Sequence, residues 1–437
     1  MKDQRPATTT QMSLNKPKHV IDIVVENGKV THLQLQRLET ARFIETFLYK
    51  QDFQAAPDIM TQIQGFCTTS CQLATVHALE KLIGITVSTE IHALRKLLNC
   101  ASWIENHAFH IYLRHAPRLL DYDNAVDMAA NPTLKTIIDR GLRLRQIGQT
   151  LRKLISGDDK YTNRLCLGGF YQTPTNCALA ALKDELAWGL QAALQTVKWT
   201  AGFDLPDFTT AGDFIAFHHP TEYPMFEGQM VISKQSILNA EDIRRYFSHT
   251  KELKNGNGNG HHLKHVPEVH YFVGPLARLN HNFQNLSPAA KGALKESGLS
   301  LPNLNPFTSI TARSLELVHA IEKAQSIINS YVQPVPNRLP VTPKAGEGSY
   351  LAETPYGLLK HDYCVNEHGV IQEVAISTPT MLNLSLIKQD LSHYLPTLLD
   401  LSPNEILRRC EQLIYCYESG ISKTPLLLDL KVRNGHA

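Results

Sequence analysis

The sequence lacks several features that would place it in a common class of protein. No run of about 18 apolar residues occurs, so no membrane-spanning helix is predicted. Basic and acidic residues nearly balance, at 43 and 41, and no basic run stands out to bind nucleic acid. The polar, Thr-rich beginning of the chain holds no apolar segment typical of a signal peptide. We therefore expect a cytoplasmic protein without a nucleic-acid partner or a membrane span.

The sequence also lacks a C-x-x-C pair, the spacing of a thiolate metal site, although it has eight cysteines. They run from Cys67 to Cys416 without the rhythm of a secreted disulfide scaffold. This distribution indicates reduced thiols and agrees with a cytoplasmic location.

Apolar periodicity predicts a mainly helical chain with small β elements, an α+β fold. The turn Asn27-Gly28 joins two alternating runs, which predicts a β-hairpin over residues 19–36. Helices are predicted over residues 68–83, 91–115, 178–199, 311–332 and 403–416. Short strands are predicted over residues 357–365 and 370–376. Several long apolar helices in one chain favour a core formed by a helix bundle.

The domain organisation predicted from these elements is simple. Residues 1–18 are polar and are expected to form a flexible arm. Residues 19–437 are expected to form a single domain. A run of alternating Asn and Gly within residues 255–266 predicts a mobile loop in that domain.

The order of several motifs is more informative than any one of them. The first motif is VENGKV (25–30). It is followed by RFIETFL (42–48), GFCTTSCQLATVHALEKLIGI (65–85) and IENHAFHIYLRHAP (104–117). LGGFY (167–171), GPLARLN (274–280), TPTMLN (378–383) and ISKTPLLLDLK (421–431) follow. Over residues 19–431 the chain resembles the large subunit of nickel–iron hydrogenases, in particular the cytoplasmic, cofactor-coupled branch. The resemblance implies a long-helix bundle with an N-terminal β-hairpin and short C-terminal strands.

The resemblance also implies where a metal centre would be held, since the family binds nickel and iron through two C-x-x-C pairs. It places the first pair at Gln64 and Cys67 and the second pair at Gly420 and Lys423. Only Cys67 is a cysteine. Soft thiolates suit nickel, and bridging thiolates hold iron beside it. We therefore expect a degenerate family member without a nickel–iron centre or any other cofactor in this chain.

Other positions that the resemblance links to function differ as well. Lys16 stands where the family has a proton-transferring glutamate, and Tyr356 stands where an arginine lies over the active site. Leu426 stands in place of the last histidine of a magnesium site, and Cys71 in place of another histidine. Glu45, the glutamate of the magnesium site, is retained. These differences predict that the family's reaction is not carried out here.

The remaining thiols and histidines admit two interpretations. Cys67 and Cys71 share a helix face, and Cys416 lies close to the second metal-binding segment, so the three could bind zinc or an iron–sulfur cluster. The favoured alternative is that they are small buried apolar side chains. His107, His110 and His115 are likewise interpreted as core histidines rather than ligands.

Three functions stay open from the sequence. The preferred one is a non-catalytic subunit that braces a partner carrying iron–sulfur clusters within a larger electron-transfer assembly. The second is a redox enzyme whose remodelled cavity uses another metal or substrate at Cys67, Cys71 and Cys416. The third is an active nickel–iron hydrogenase with unusual ligands.

Overall fold

The computed structural model describes residues 19–26, 29–37, 40–62, 68–157, 163–232, 236–238, 270–417 and 427–433. The predicted arm (1–18) and mobile loop (255–266) lie outside the described residues. No helix in the described part of the chain is long and apolar enough to cross a membrane.

The described α-helices form most of the structure. In chain order they are α1 (Thr40–Leu48), α2 (Ala56–Gln62), α3 (Thr68–Ile83), α4 (Thr89–His110), α5 (Ala116–Leu119), α6 (Ala125–Ala129), α7 (Pro132–Ser156), α8 (Asn176–Ala180), α9 (Lys183–Ala201), α10 (Pro275–Asn282), α11 (Pro288–Ser297), α12 (Ser309–Asn329), α13 (Pro379–Tyr394) and α14 (Pro403–Cys416).

The described strands form small separate sheets. In chain order they are β1 (His19–Glu26), β2 (Lys29–Arg37), β3 (Leu165–Cys166), β4 (Gly169–Phe170), β5 (Asp213–His218), β6 (Gln229–Ile232), β7 (Ser236–Ile237), β8 (Tyr271–Phe272), β9 (Gly346–Thr354), β10 (Gly357–Val365), β11 (Ile371–Ser377) and β12 (Leu427–Arg433).

Two three-stranded sheets frame the helices. The first has the order β12-β1-β2, with β12 parallel to β1 and β2 antiparallel to it. The second is an antiparallel meander of β9, β10 and β11 that packs on α3. A four-stranded sheet, β7-β6-β5-β8, and the pair β3-β4 complete the described β structure. The mainly α architecture with small sheets confirms the predicted fold class.

The core centres on α12, which packs against α4 and α9, while α4 also packs against α7. Every residue of α12 from 309 to 321 is buried, so this helix has no solvated face in its first half. Arg313, Glu316 and His319 lie within that stretch. Because buried charges must be paired, their partners on neighbouring elements become important for the site.

The helix predicted over residues 91–115 differs in the structure. It is α-helical only to His110, continues as a π-helical turn over Ile111–His115, and then enters α5. Pro117 supplies no N–H for an ordinary helical bond, and a wider turn before it accommodates that loss. The helix predicted over 178–199 is divided between α8 and α9.

Helix α7 was not predicted from the sequence, although it is the longest described helix at 25 residues. Its glycines resemble breaks in a helical pattern. Gly148 instead marks a close approach to α4, since a Cβ there would lie 2.5 Å from the backbone nitrogen of Glu105. Packing between helices therefore overrides the low helix propensity of glycine here.

Candidate functional site

The backbone conformation of Gly274 brings α10 against the turn between β9 and β10. Its φ angle is +123°, and a Cβ at this residue would lie 3.1 Å from the carbonyl oxygen of Tyr356. One helical turn later, Arg278 Nη1 donates to the carbonyl oxygen of Thr354 at 2.9 Å. Arg278 Nη2 donates to that of Pro355 at 3.3 Å. The conformation of Gly274 thus places the buried guanidinium of Arg278 beside the turn between β9 and β10.

Arg278 is the centre of a group of fully buried charges. Its Nε and Nη2 donate to the two oxygens of Glu316 at 2.7 and 2.8 Å. Its Nη1 donates to Glu353 Oε2 at 2.7 Å. The three side chains are 0% exposed, and the guanidinium lies 4.5 Å from the ring centre of Trp103. We call Arg278, Glu316 and Glu353 the buried charge cluster.

Three further groups contact the buried charge cluster. The hydroxyl of Tyr223 donates to Glu316 Oε1 at 2.7 Å, and His107 Nε2 lies 3.0 Å from Glu316 Oε2. The backbone N–H of Phe217 donates to Glu353 Oε1 at 2.9 Å. Burial acts to raise the pKa of Glu316, but the charge and hydrogen bonds of Arg278 outweigh it and hold that pKa well below its usual value. Burial lowers the pKa of His107 to about 4, although Glu316 opposes the shift.

A cavity of about 310 Å³ lies beside this cluster and has Tyr223 in its wall. Its lining also carries charges of both signs, including Lys96 and Glu222, whose Nζ and Oε2 atoms lie 3.3 Å apart. Tyr223 therefore lines the cavity and also contacts Glu316.

Two buried histidines lead from α4 towards the end of α14. The rings of His110 and His115 are perpendicular, with centres 5.4 Å apart, and His115 Nε2 lies 3.7 Å from Cys416 Sγ. Burial, followed by the nearby charge of Arg313, lowers the pKa of His115 to about 3 and that of His110 well below its usual value. Both imidazoles are therefore neutral at neutral pH. Cys416 is the last residue of α14 and lies two residues before the segment 418–426, which carries the predicted second metal-binding pair.

Tyr356 is buried in the turn between β9 and β10. Its hydroxyl donates to Asn106 Oδ1 at 3.0 Å. A guanidinium does lie beside it, because the Arg313 side chain is 5.3 Å from the Tyr356 ring centre and donates from Nη1 to the Pro355 carbonyl oxygen at 3.1 Å. Arg313 was not predicted from the sequence as a site residue, and its burial comes from the packing of α12 in the core.

The other predicted site residues are only partly within the described structure. Glu45 Oε1 accepts a hydrogen bond from the backbone N–H of Ile376 at 2.8 Å, so this carboxylate joins α1 to β11. Cys71 lies on α3, where burial raises the pKa of its thiol to about 12. Lys16, Gln64, Cys67, Gly420, Lys423 and Leu426 lie outside the described residues.

The described donors do not fit a nickel–iron centre by themselves. Within residues 40–62, 68–157, 163–232 and 270–417, no three His, Cys, Asp or Glu side chains are placed to hold a metal ion. The thiols of Cys71 and Cys416 have pKa values raised by burial, whereas a soft metal is bound by thiolates.

Comparison with known proteins gives a consistent set of relatives. Residues 42–154 match the family model described as nickel-dependent hydrogenase. The alpha subunit of sulfhydrogenase 2 from Pyrococcus furiosus is 26% identical over 404 residues, which cover 92% of this chain and 94% of that protein. The alpha subunit of sulfhydrogenase 1 from the same organism is 24% identical over 423 residues, covering 95% and 97% of the two chains.

The fold has a counterpart among solved structures. An NAD+-reducing [NiFe]-hydrogenase in the H2-reduced state superposes with a TM-score of 0.73 at 17% identity, covering 89% of this chain and 92% of that one. At this level of identity the likeness shows the fold. It agrees with the long-helix architecture expected from the sequence motifs.

One sequence-based prediction is wrong in the light of these comparisons. We predicted that the chain carries no nickel–iron centre, but the matching family model is that of nickel-dependent hydrogenases, and the superposed structure is a [NiFe]-hydrogenase. That prediction rested on cysteines that are missing from two short segments, 63–67 and 418–426. Both segments lie outside the described residues.

The buried charge cluster was not predicted either. In the sequence, Arg278 stands in the GPLARLN motif and Glu316 in the helix predicted over residues 311–332, whereas Glu353 lies in no predicted element. Like Arg313, Glu316 is a charged residue in the half of α12 in which every residue is buried. Its cation, Arg278, lies on α10, and Glu353, the second carboxylate bound to that cation, lies on β9, so the members of the cluster are far apart in the sequence.

Proposed function

We propose that this chain, which is similar to nickel-dependent hydrogenases and their alpha subunits, acts as the large subunit of a multi-subunit oxidoreductase. Its partner in this proposal is a small subunit that carries iron–sulfur clusters, with further electron-transfer subunits beyond it. The observation that carries the proposal is the extent of the likeness. The chain spans 94% and 97% of two relatives that are themselves named as alpha subunits of sulfhydrogenases.

Within this assembly we assign the chain a structural role that supports electron transfer, rather than the activation of hydrogen. The support comes from positions that the family resemblance links to proton and charge handling. Lys16 is a cation in place of a proton-transferring glutamate. Tyr356 offers a neutral hydroxyl, already bonded to Asn106, in place of an arginine.

The compartment we propose is the cytoplasm. None of the seven cysteines within the described residues forms a disulfide, and four of them are buried. Reduced thiols are the usual state of cysteines in cytoplasmic proteins.

The proposed role is tested by assaying the native assembly for hydrogen-dependent dye reduction beside a sulfhydrogenase of the same family. We expect no hydrogen-dependent reduction above background, while dithionite still reduces the iron–sulfur clusters of the partner. A hydrogen-dependent rate within tenfold of the sulfhydrogenase control would contradict the structural role. It would leave the large-subunit assignment intact.

A further inference from the structure

The cavity beside the buried charge cluster holds two opposite charges that face each other without a hydrogen bond. Lys323 Nζ on α12 lies 3.8 Å from Glu222 Oε1, which is too far for such a bond. The other oxygen of Glu222 accepts from Lys96 Nζ at 3.3 Å. Within the described part of the chain, Lys323 Nζ and Glu222 Oε1 have no hydrogen-bond partner, and their side chains are 36% and 44% exposed. A cationic donor and an anionic acceptor are therefore both available to a ligand.

Hydrogen bonds hold the wall that carries Glu222 in place. Asn99 Nδ2 on α4 donates to the carbonyl oxygen of Met225 at 2.7 Å, and Asn285 Nδ2 donates to that of His219 at 2.6 Å. The loop 219–227 is thus fixed to its neighbours on both sides of Glu222. The cavity volume of about 310 Å³ lies within the range of small-molecule sites, which are usually preformed.

The same cavity offers a hydroxyl group and an apolar floor. Ser287 Oγ is buried and has no hydrogen-bond partner within the described residues, although buried hydroxyls normally have one. Cys100 and Met225 also line the cavity, and they are only 3% and 5% exposed. The lining therefore suits a ligand with a charged polar end and an uncharged body.

We propose that this cavity binds an α-amino acid with an uncharged side chain, in its zwitterionic form. The carboxylate of the ligand accepts from Lys323 Nζ and from the hydroxyl of Ser287, and its ammonium group donates to Glu222 Oε1. The amino and carboxylate groups of an α-amino acid are attached to one carbon, so they fit side by side against the facing pair. The four charges then alternate in sign, and each contact is a charge-assisted hydrogen bond. The side chain of the ligand packs on Cys100 and Met225.

The charges of the lining favour a zwitterion over a simple anion or cation. The lining carries two ammonium and three carboxylate groups, those of Lys96, Lys323, Glu222, Glu227 and Glu322. Glu322 Oε2 accepts from the N–H of Ala289 at 3.0 Å, at the N-terminal end of α11, where the partial positive charge of the helix stabilises a carboxylate. The other two ammonium and two carboxylate groups balance. A ligand without net charge preserves this balance, whereas an anion or a cation would disturb it.

The existing ion pairs of the cavity do not oppose binding. Lys96 Nζ lies 3.3 Å from Glu222 and 4.0 Å from Glu227, and these side chains are 20% to 50% exposed. Exposed pairs of this kind contribute little to stability, so their rearrangement around a ligand costs little. The buried pair of Arg95 and Glu80 is different, because both of its hydrogen bonds measure 2.7 Å and its side chains are 0% and 5% exposed.

Isothermal titration calorimetry on the full-length protein, with any co-purified partner, tests the proposal. The probes are L-norleucine, hexanoate, which lacks the ammonium group, and pentylamine, which lacks the carboxylate. The three share the same alkyl chain. At pH 7.5, where an ordinary imidazole is neutral, norleucine should bind at least about tenfold more tightly than either of the others. No saturable binding of norleucine up to about 10 mM would overturn the proposal, as would hexanoate or pentylamine binding equally well.

Two variants then assign the contacts. In E222Q norleucine should lose its advantage over hexanoate, because only the ammonium group has lost its partner. In K323M norleucine should lose its advantage over pentylamine, because only the carboxylate has lost its cation. Lys135→Met, which removes an exposed ion pair of α7, is the control and should bind norleucine like the wild type. Norleucine affinities that stay unchanged in E222Q and K323M, with folding verified by circular dichroism, would overturn the assignment to this cavity.

Discussion

Arg278 and Glu316 form a bidentate ion pair in the interior, with Nε–Oε1 and Nη2–Oε2 distances of 2.7 and 2.8 Å and no exposure of either side chain. The pair joins α10 to α12, and Arg278 also joins both to β9 through Glu353. The guanidinium of Arg278 thus connects α10, α12 and β9.

Replacement of Arg278 should be strongly destabilising. Arg278→Met keeps much of the side-chain volume but leaves two buried carboxylates without their cation. We expect the free energy of unfolding to fall by about 3–5 kcal/mol, measured by urea denaturation at pH 7.5. Lys135→Met removes an ion pair whose side chains are 60% and 55% exposed, so the same measurement should change by less than about 1 kcal/mol. Equal effects of the two substitutions would contradict the importance of the buried pair.

The hydroxyl of Tyr223 should contribute through its bond to a charged group. Tyr223→Phe removes the donor to Glu316 Oε1, 2.7 Å away, and preserves the ring. A hydrogen bond to a buried charge contributes about 1.5–3 kcal/mol, and we expect a loss of stability in that range. Tyr49→Phe, on a side chain 48% exposed, should change stability by less than about 0.5 kcal/mol. A Tyr223→Phe variant as stable as the wild type would show that Glu316 does not need the hydrogen bond from this hydroxyl.

Acid sensitivity should arise from buried neutral histidines. Burial, followed by the charge of Lys323, lowers the pKa of His319 to about 4 from 6.5. The unfolded chain therefore binds the proton first, and stability falls as the pH decreases from 6.5 towards 4. His319 should account for about 2 kcal/mol of lost stability between pH 7 and pH 5.

The variant His319→Asn isolates this contribution, since its amide oxygen can still accept the hydrogen bond that Ser287 N–H donates to His319 Nδ1 at 3.0 Å. The variant should lose less stability than the wild type between pH 7 and pH 5, measured by urea midpoints. His368→Gln, at a side chain 78% exposed, should follow the wild-type profile. An unchanged pH profile for His319→Asn would contradict the assignment.

Gly274 should not accept a side chain. Gly274→Ala places a Cβ 3.1 Å from the Tyr356 carbonyl oxygen at a φ of +123°, and we expect a loss of about 1–3 kcal/mol. Gly292→Ala is the matched control, because it lies within α11 and its Cβ would meet nothing within 4 Å. That variant should gain about 0.5–1 kcal/mol. Thermal denaturation of both proteins gives the comparison, and a Gly274→Ala variant as stable as the wild type would be contrary to expectation.

The sequence predicted those helices and strands whose apolar spacing and end residues lie within the element itself. Helices α3 and α14 begin and end where the apolar spacing and flanking residues indicate, and β10 spans the predicted residues 357–365. The antiparallel pairing of β1 with β2 was also predicted, because an Asn-Gly sequence between two alternating runs is a local signal.

The elements and contacts that depend on packing were not predicted. Helix α7 was missed because Gly148 is explained only by the backbone of α4. The buried charge cluster was missed because its members are separated by up to 75 residues in the chain, between Arg278 and Glu353. Neither residue carries a local signal that identifies the other as its partner.

The most direct test of the account is purification of the affinity-tagged, full-length chain from its native source under anaerobic, non-denaturing conditions. We expect a second protein to co-elute at a ratio near one to one, with the visible absorption and reduced-state electron paramagnetic resonance signals of iron–sulfur clusters. Mass spectrometry should identify that protein by the cysteine pattern of its clusters. A chain that elutes alone as a monodisperse monomer, with no iron–sulfur signal in any associated fraction, would contradict the proposed role as a large subunit.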